Sequence, residues 1–480
     1  MNIEEYDSYR SETVRDESPA RDAARWFGLS VAALGLSGAL AVVLLVGRVA
    51  ALFPETGVDV DFARRALVVH VDHAVLVWFL AFIAGLFHLI PGPRGGKATG
   101  IALTTAVAGA VLFTVRAFAR PVPLLSNYVP VLDDPLFLAG LGLFALGVAL
   151  AFVDRRWIYD DDRDGPALLP PSACDAVRFA AAAYVVALLT IAGAYLTRDP
   201  SLPAQVYYER LFWGGGHVFQ VACVLAMLGV WGLLLDEIAG VRATSRRTAL
   251  LLYALLLWPT LFGPGITLTN RSGTLFTWMM RLGIFPAVSV FMVAALMALA
   301  RSRERWRGRF LTPAGTTLAT GMTLLLAGFV LGAMIAADTT LVPAHYHLSI
   351  GAVTVSFMGG LFVLMPRLGW TVATPRLATW QPLCYGVGQG MFAGGLAVAG
   401  YWGHATRKTY GDEQIVDRIS QTIGFAAAGV GGLVAMISGV LFVVVVVRGV
   451  LATRADRRRS TDPDLLDDSR RSDPVLNEVY

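Results

Sequence analysis

Long apolar stretches recur along the whole chain, and only short polar segments separate them. Each stretch is long enough to cross a hydrocarbon core of about 30 Å as a helix. The sequence therefore predicts an all-α, polytopic membrane protein with a membrane domain over residues 26–450, an N-terminal tail at 1–25 and a charged C-terminal tail at 451–480. Twelve transmembrane helices are predicted, at residues 26–52, 67–91, 98–118, 134–153, 173–196, 206–235, 246–268, 276–300, 312–337, 344–366, 380–403 and 420–449.

Composition excludes a soluble enzyme, since 56% of the residues are hydrophobic and only 15% are charged. The cysteines Cys174, Cys223 and Cys384 form no C-x-x-C pair, so this chain is not expected to carry a disulfide framework, an attached c-type haem or a thiolate copper centre. Any electron donor must then be another protein. No short apolar region with a small-residue cleavage site opens the sequence, so no signal peptide is expected.

The distribution of Lys and Arg predicts the orientation in the membrane. Cations collect in the loops after spans two, four, six, eight and ten and in the tails, and such segments normally stay in the cytoplasm. We therefore expect a plasma-membrane protein with both termini cytoplasmic. Four cations in the opposite loops need another explanation: Arg64, Arg65, Arg407 and Lys408.

The segment Pro343-Ala344-His345-Tyr346-His347 opens span ten. On an α-helix, two residues two positions apart point about 200° from each other, so His345 and His347 must face opposite neighbours. Imidazole is a common axial ligand of haem iron, and ionisable groups inside spans usually serve a function. The pattern predicts two haems, one on each side of span ten. The alternative is a pair of interfacial histidines among the lipid headgroups.

Two further histidines are predicted at the same depth. With the expected orientation, His70 on span two and His217 on span six lie in the outer half of the membrane, as His345 and His347 do. Histidines with unrelated structural roles would have no reason to share one layer. His88 lies about 27 Å further along span two, at the inner face, where an interfacial position is expected.

These features resemble the catalytic subunit I of the haem-copper oxidase superfamily, which includes cytochrome c and quinol oxidases and nitric oxide reductases. The resemblance covers nearly the whole chain, and the H-x-H block followed by Ser-x-Gly-Ala-Val is its most specific element. It implies a dihaem membrane oxidoreductase. Electrons would pass from a low-spin haem to a high-spin haem, where a small gas, oxygen or nitric oxide, is bound and reduced.

The resemblance also implies a role for each histidine. His70 and His347 would be the axial ligands of the low-spin haem, and His345 would be the proximal ligand of the high-spin haem. His217 would bind the second metal, copper or non-haem iron. Because His73 points only about 60° away from His70 on a helix, it is an alternative ligand of the low-spin haem.

Two further segments have family counterparts. The loop Gly403–Tyr410 is similar to a family loop whose two cations neutralise haem propionates, a role that would fall to Arg407 and Lys408. The alternative is a solvated charge pair. The glycines in Trp213-Gly214-Gly215-Gly216-His217 would allow close approach of a backbone or a flat macrocycle, or simply small-residue helix packing.

The sequence departs from the family at the second metal. The family adds two adjacent histidines about fifty residues after the span-six histidine, but here no histidine lies between His217 and His345. The corresponding region, 265–270, supplies only hydroxyls and an amide, which are feeble copper ligands. The family's tyrosine or glutamate four residues after that histidine is Val221 here, with Cys223 close by. Either there is no second metal, or a partner completes its site.

Three functions remain open at this stage. The first is a gas-reducing subunit of the oxidase or nitric oxide reductase type, which receives electrons from a separate subunit or protein such as cytochrome c, a cupredoxin or a quinol system. The second is a non-catalytic electron-transfer or gas-binding haem protein. The third is a twelve-span transporter, which would need charged groups at the midplane. Spans six to ten carry no central Lys, Asp or Glu, so protons are expected from the outer side and pumping is not expected.

Overall fold

The computed structural model describes residues 17–52, 60–92, 97–153, 155–157, 168–197, 199–269, 272–406, 416 and 418–461. Within these residues the chain forms twelve long helical segments, numbered here to match the predicted spans. They are α1 (Glu17–Leu52), α2 (Val60–Val71, Asp72–Val77 and Trp78–His88), α3 (Lys97–Arg116), α4 (Pro135–Ala151), α5 (Pro171–Leu196), α6 (Ala204–Ala239), α7 (Arg246–Leu257, Trp258–Phe262 and Gly263–Ile266), α8 (Ser272–Arg301), α9 (Pro313–Ala333), α10 (Leu341–Arg367), α11 (Pro375–Tyr401) and α12 (Ile419–Thr461).

Ten of these segments are long and apolar enough to span a membrane. The other two are α4, which has only 17 residues, and α11, which carries Gln381 and Gln389 among its apolar residues. They complete the predicted set of twelve. The largest differences from the predicted bounds lie at the ends, because α1 begins at Glu17 and α12 continues to Thr461.

Local sequence signals explain where several helices begin and end. The Asp134 side chain accepts a hydrogen bond from the Phe137 backbone N–H at 2.8 Å, and Pro135 occupies the first turn of α4, where its missing N–H costs nothing. Thr312 caps α9 in the same way. At the other end of α6, Gly240 adopts a left-handed φ of 59°, which glycine tolerates and which stops the helix.

Consecutive helices pack in pairs. The most extensive contacts join α1 with α2, α3 with α4, α5 with α6, α9 with α10, and α11 with α12, while α12 also contacts α1. Small residues let the backbones approach within these pairs: a Cβ added at Gly140 of α4 would lie 2.7 Å from the Phe113 backbone nitrogen of α3. This close approach is typical of membrane helices, which gain stability from van der Waals packing.

The helices that carry the predicted site are the central ones. In an apolar 18-residue stretch of each helix, the share of residues buried inside the protein is 89% in α6, 83% in α10 and 67% in α2. It is 61% in α9 and 28–39% in the other spanning helices. The histidines predicted to act together therefore lie on helices that are surrounded by other helices rather than by lipid.

Two irregular elements lie next to this centre. Residues Asp72–Val77 form a π-helical turn directly after His70, and such turns often occur at functional sites. Beyond α3, strands β1 (Pro123–Leu124) and β2 (Val131–Leu132) form a short antiparallel hairpin. The turn of this hairpin, residues 125–130, reaches a cavity at the same end of the bundle as His70.

Candidate functional site

A cavity of about 1610 Å³ opens among α1, α2, α4–α6, α8–α12 and the hairpin turn. It is larger than the roughly 300–1,000 Å³ that is usual for small-molecule sites. Most of its wall is apolar. Four of the histidines singled out in the sequence line it together: His70, His217, His345 and His347.

On α2, His70 is held through one ring nitrogen. Its Nδ1 lies 2.8 Å from the Ser37 carbonyl oxygen of α1. Because a carbonyl oxygen only accepts, Nδ1 carries the hydrogen and Nε2 keeps the lone pair that can bind a metal. The Ser37 hydroxyl also donates to the His70 carbonyl oxygen at 3.2 Å, so one serine positions both the ring and the backbone of this residue.

His73, the alternative ligand, points elsewhere. Its ring packs 5.0 Å from that of Phe113, and its Nε2 lies 2.7 Å from the Thr114 hydroxyl oxygen on α3. His73 is buried and is not part of the cavity wall. Of the two histidines on this turn, only His70 faces the space shared with His347.

On α10, His345 faces α9. Its Nδ1 lies 2.7 Å from the Gly328 carbonyl oxygen, so this ring too carries its hydrogen on Nδ1 and keeps the lone pair on Nε2. Gly332 makes room for the imidazole, since a Cβ there would lie 2.7 Å from Nδ1. Two glycines one turn apart on α9 thus provide the acceptor and the space that orient His345.

His347 faces the other side of α10. Its ring meets Phe392 of α11 at a centroid distance of 4.6 Å and an interplanar angle of 72°. His345 therefore packs against α9 and His347 against α11, in agreement with the opposite directions that a two-residue spacing predicts on a helix. The two imidazoles serve different parts of one cavity.

His217 on α6 has partners at both ring nitrogens. Its Nδ1 donates to the Trp213 carbonyl oxygen at 2.7 Å, and its Nε2 lies 3.0 Å from the Tyr128 hydroxyl. The ring of Phe276 stacks on the imidazole at 5.8 Å and 29°. Sequence reasoning missed Tyr128, because a single tyrosine in a loop before α4 carries no pattern that links it to α6.

Protein side chains occupy the space beside each of the three glycines that precede His217. A Cβ at Gly214 would meet the Phe276 ring, one at Gly215 would overlap Ile191, and one at Gly216 would overlap the Tyr128 ring. Gly215 and Gly216 also line the cavity. The structure thus shows side chains packed closely against all three glycines.

Two charged residues lie within spans that line the cavity. Arg281 of α8 lines the cavity, and its guanidinium lies 5.6 Å from the centroid of the Trp278 ring. Asp72 is fully buried in the π-helical turn, and neither carboxylate oxygen has a hydrogen-bond partner among the described residues. His88, expected at the inner membrane face, is buried near Trp26 and does not line the cavity.

A family model decides the relationship of this chain to known proteins. The model described as Cytochrome C and Quinol oxidase polypeptide I matches residues 22–434. The chain belongs to this oxidase polypeptide I family. It is therefore a multi-pass membrane protein of the haem-copper oxidase subunit I type, as the H-x-H block and the span pattern predict.

Individual relatives add less about function. An uncharacterized protein of Aquifex aeolicus is 28% identical over 366 residues, which cover 72% of this chain and 85% of that protein. An uncharacterized protein of Rickettsia prowazekii is 22% identical over 499 residues, covering 88% and 94%. A solved chain of a heme-copper terminal oxidase dimer matches with a TM-score of 0.72 and 18% identity over 91% of this chain and 84% of that one, which establishes the shared fold.

The donors around His217 do not fit the family's second metal. Among the described residues, no three His, Cys, Asp or Glu side chains come together as a metal site. The described part of α7, where the oxidase family would place two histidines, contributes no residue to the cavity wall. Cys223 lines the cavity six residues after His217 but joins no such group. One imidazole with a phenol is a poor donor set for copper.

The two predicted propionate-binding cations, Arg407 and Lys408, lie outside the described residues. The segment that leads to them is described. The Thr340 backbone N–H donates to the Ala405 carbonyl oxygen at 2.9 Å, which ties this segment to the start of α10, and Thr406 lines the cavity. The chain thus approaches the cavity edge directly before the paired cations.

Proposed function

We propose that this protein is the haem-bearing subunit of a membrane complex that transfers electrons to a small gas, oxygen or nitric oxide. The observation that carries the proposal is the shared cavity of His70, His345 and His347. Two of these rings, His70 and His345, hold their Nδ1 hydrogens on backbone carbonyl oxygens and so offer Nε2 to a metal. Family membership makes haem the natural partner.

Under this proposal, His70 of α2 and His347 of α10 would together hold the low-spin haem, which receives electrons. His345 would hold the high-spin haem, where the gas is bound. A cavity of about 1610 Å³ with a mostly apolar wall suits two large, flat, apolar groups. When bound, the haems would supply iron that carries electrons and binds the gas.

The protein's own contribution would be orientation. The carbonyl oxygens of Ser37 and Gly328 lock the tautomer and direction of His70 and His345, and such outer partners raise the basicity of a ligating imidazole. Arg407 and Lys408, which follow Thr406 at the cavity edge, would neutralise the propionates. Electrons would come from a separate protein or subunit, since the three cysteines of this sequence form no C-x-x-C pair that could hold a further redox centre.

The proposed setting is the plasma membrane, with both termini cytoplasmic and the haem layer toward the outside. The positive-inside pattern of the loops supports this orientation. Protons for gas reduction would then come from the outer side, since a chain of Lys, Asp or Glu toward the inner side is not apparent in the sequence of spans six to ten.

A second candidate is a haem protein that binds gas or transfers electrons without reducing the gas. The incomplete donor set around His217 favours this candidate, because the family's second metal assists the reduction. Oxygen and nitric oxide consumption, measured on one haem-loaded preparation with an artificial electron donor, separates the two. Turnover of either gas supports the reductase and names its substrate, whereas gas binding without turnover supports the second candidate.

Haem content provides the direct experiment. We expect the purified protein to contain two haems, with one low-spin bis-imidazole spectrum and one haem that binds carbon monoxide after reduction. A chain produced with adequate haem supply that still purifies without haem would contradict the proposal. A preparation with a single haem would contradict the two-haem assignment, but it would still support the proposal that this protein binds haem.

A further inference from the structure

The contact between Tyr128 and His217 is a built feature of the cavity wall. The hydroxyl lies 3.0 Å from Nε2, and the ring centroids are 4.7 Å apart. Because His217 Nδ1 donates to the Trp213 carbonyl oxygen, Nε2 has no hydrogen, and the Tyr128 hydroxyl must be the donor. Both residues line the same cavity as His345.

One face of α6 holds the hairpin turn that carries Tyr128. The Glu209 carboxylate accepts hydrogen bonds from the Asn127 backbone N–H, at 2.9 Å, and from the Asn127 side-chain amide. Trp213 meets the Tyr128 ring edge-on at 5.5 Å. Gly216 leaves the space that the Tyr128 ring fills. Glu209, Trp213, Gly216 and His217 fall at helical spacing, so one α6 surface anchors the loop, the ring and the hydroxyl.

This hydrogen bond competes directly with metal binding. A metal ion on His217 would need the Nε2 lone pair that the Tyr128 hydroxyl already occupies. It would also need further donors, but the other two rings packed against the imidazole are those of Phe276 and Trp213. The Tyr128 hydroxyl therefore occupies the position at His217 where the oxidase family carries a metal.

We propose that the Tyr128–His217 pair replaces the second metal, and that the Tyr128 hydroxyl donates a hydrogen bond to the gas bound at the haem on His345. A phenol hydroxyl can turn its hydrogen about the C–O bond without moving the oxygen, so it can serve His217 or a ligand in the cavity. Tyr128 thereby becomes the residue that recognises the polar end of a diatomic ligand. This inference rests on the proposed haem at His345.

Carbon monoxide is the probe. On reduced, haem-loaded, full-length protein, we expect the C–O stretching frequency to shift between H₂O and D₂O. In Tyr128→Phe we expect the band to move to a higher wavenumber and to lose that solvent sensitivity, because the donor is gone. The gas should also dissociate about two- to tenfold faster, as expected for one lost hydrogen bond. Metal analysis of the unsubstituted protein should find no stoichiometric copper or non-haem iron.

Tyr385→Phe is the matched control. Tyr385 also lines the cavity, but its hydroxyl accepts from Gln389 Nε2 at 3.2 Å rather than contacting His217. This variant should keep the carbon monoxide band and dissociation rate of the unsubstituted protein. An equal shift in both variants would mean that any lost cavity phenol perturbs the haem, which overturns the specific role of Tyr128.

Other outcomes also decide the matter. Copper or non-haem iron equimolar with haem, and lost in His217→Ala, would overturn the metal-free site. An unchanged band in Tyr128→Phe would overturn the hydrogen bond to the gas. The isotope shift and metal content are measured on unsubstituted protein, so the test survives a variant that does not fold. A haem-free protein would overturn the proposed function first, which is a distinguishable result.

Discussion

His70 and His73 lie three residues apart on α2 but have unlike surroundings. His70 Nδ1 lies 2.8 Å from the Ser37 carbonyl oxygen at the cavity wall, whereas His73 Nε2 lies 2.7 Å from the Thr114 hydroxyl oxygen on α3. The π-helical segment Asp72–Val77 begins between them and includes His73. On a regular helix the two imidazoles would point in similar directions. Here the His70 ring faces the cavity, and the His73 ring faces the interface with α3.

This difference predicts unequal effects of substitution. His70→Ala should abolish the low-spin bis-imidazole spectrum, because it removes one proposed axial ligand. His73→Ala should keep that spectrum and lower only the thermal stability, since the Thr114 hydroxyl still donates to the Ala110 carbonyl oxygen at 2.6 Å. Reduced absorption spectra and melting curves of both purified variants check this. Loss of the low-spin haem in His73→Ala alone would reverse the assignment.

The two histidines of α10 should be separable by spectroscopy. His345→Ala should lose carbon monoxide binding and keep the low-spin haem, because His70 and His347 remain. His347→Ala should do the opposite. Added imidazole should restore some carbon monoxide binding to His345→Ala by filling the vacated ligand position. If both variants lose both spectra equally, the two residues do not serve separate haems.

A single methyl group added on α9 should displace the His345 ring although His345 itself is not replaced. In Gly332→Ala the new Cβ would lie 2.7 Å from His345 Nδ1, so the ring must move away from the Gly328 carbonyl oxygen. We expect at least a tenfold weaker carbon monoxide affinity, which corresponds to about 1.4 kcal/mol. Gly394→Ala is the control, since no atom lies within 4 Å of a Cβ there. Carbon monoxide titrations of both variants that coincide would contradict the packing argument.

The start of α4 predicts a pH-dependent contribution to stability. Arg116 Nε and Nη2 donate to the Asp134 carboxylate at 2.9 and 2.6 Å, and these hydrogen bonds lower the pKa of Asp134 below its usual value. A lowered pKa in the folded state means that the carboxylate stabilises the fold at neutral pH. That contribution falls as the pH drops below about 4 and through the folded-state pKa.

Melting temperatures of two variants against pH test this. Asp134→Asn should melt lower than the unsubstituted protein at pH 7, and the difference should shrink in acid as the native carboxylate is protonated. Asp134→Ala should be less stable still, by about 1 kcal/mol, because it also loses the cap on the Phe137 backbone N–H. A pH-independent difference between Asp134→Asn and the unsubstituted protein would show that the charge contributes nothing.

Much of the architecture follows from the sequence, because it depends on local regularities. The length of each apolar stretch defines a span, and helical periodicity alone sends His345 and His347 to opposite sides of α10. The twelve spans, the histidines on spans two and six and the H-x-H block together indicate the oxidase polypeptide I family. The sequence also shows directly that the two family histidines expected after His217 are missing.

The contacts of the candidate site residues depend on how the helices pack against one another. Contacts with α1 and α3 direct His70 to the cavity and His73 to a helix interface, and a carbonyl oxygen of α9 orients His345. Tyr128 reaches His217 from 89 residues away, through a hairpin that Glu209 holds in place. Periodicity predicts which face of a helix a residue occupies. Which neighbour meets that face is determined only when helices distant in sequence pack together, since that packing depends on shape and hydrogen bonding across the whole bundle.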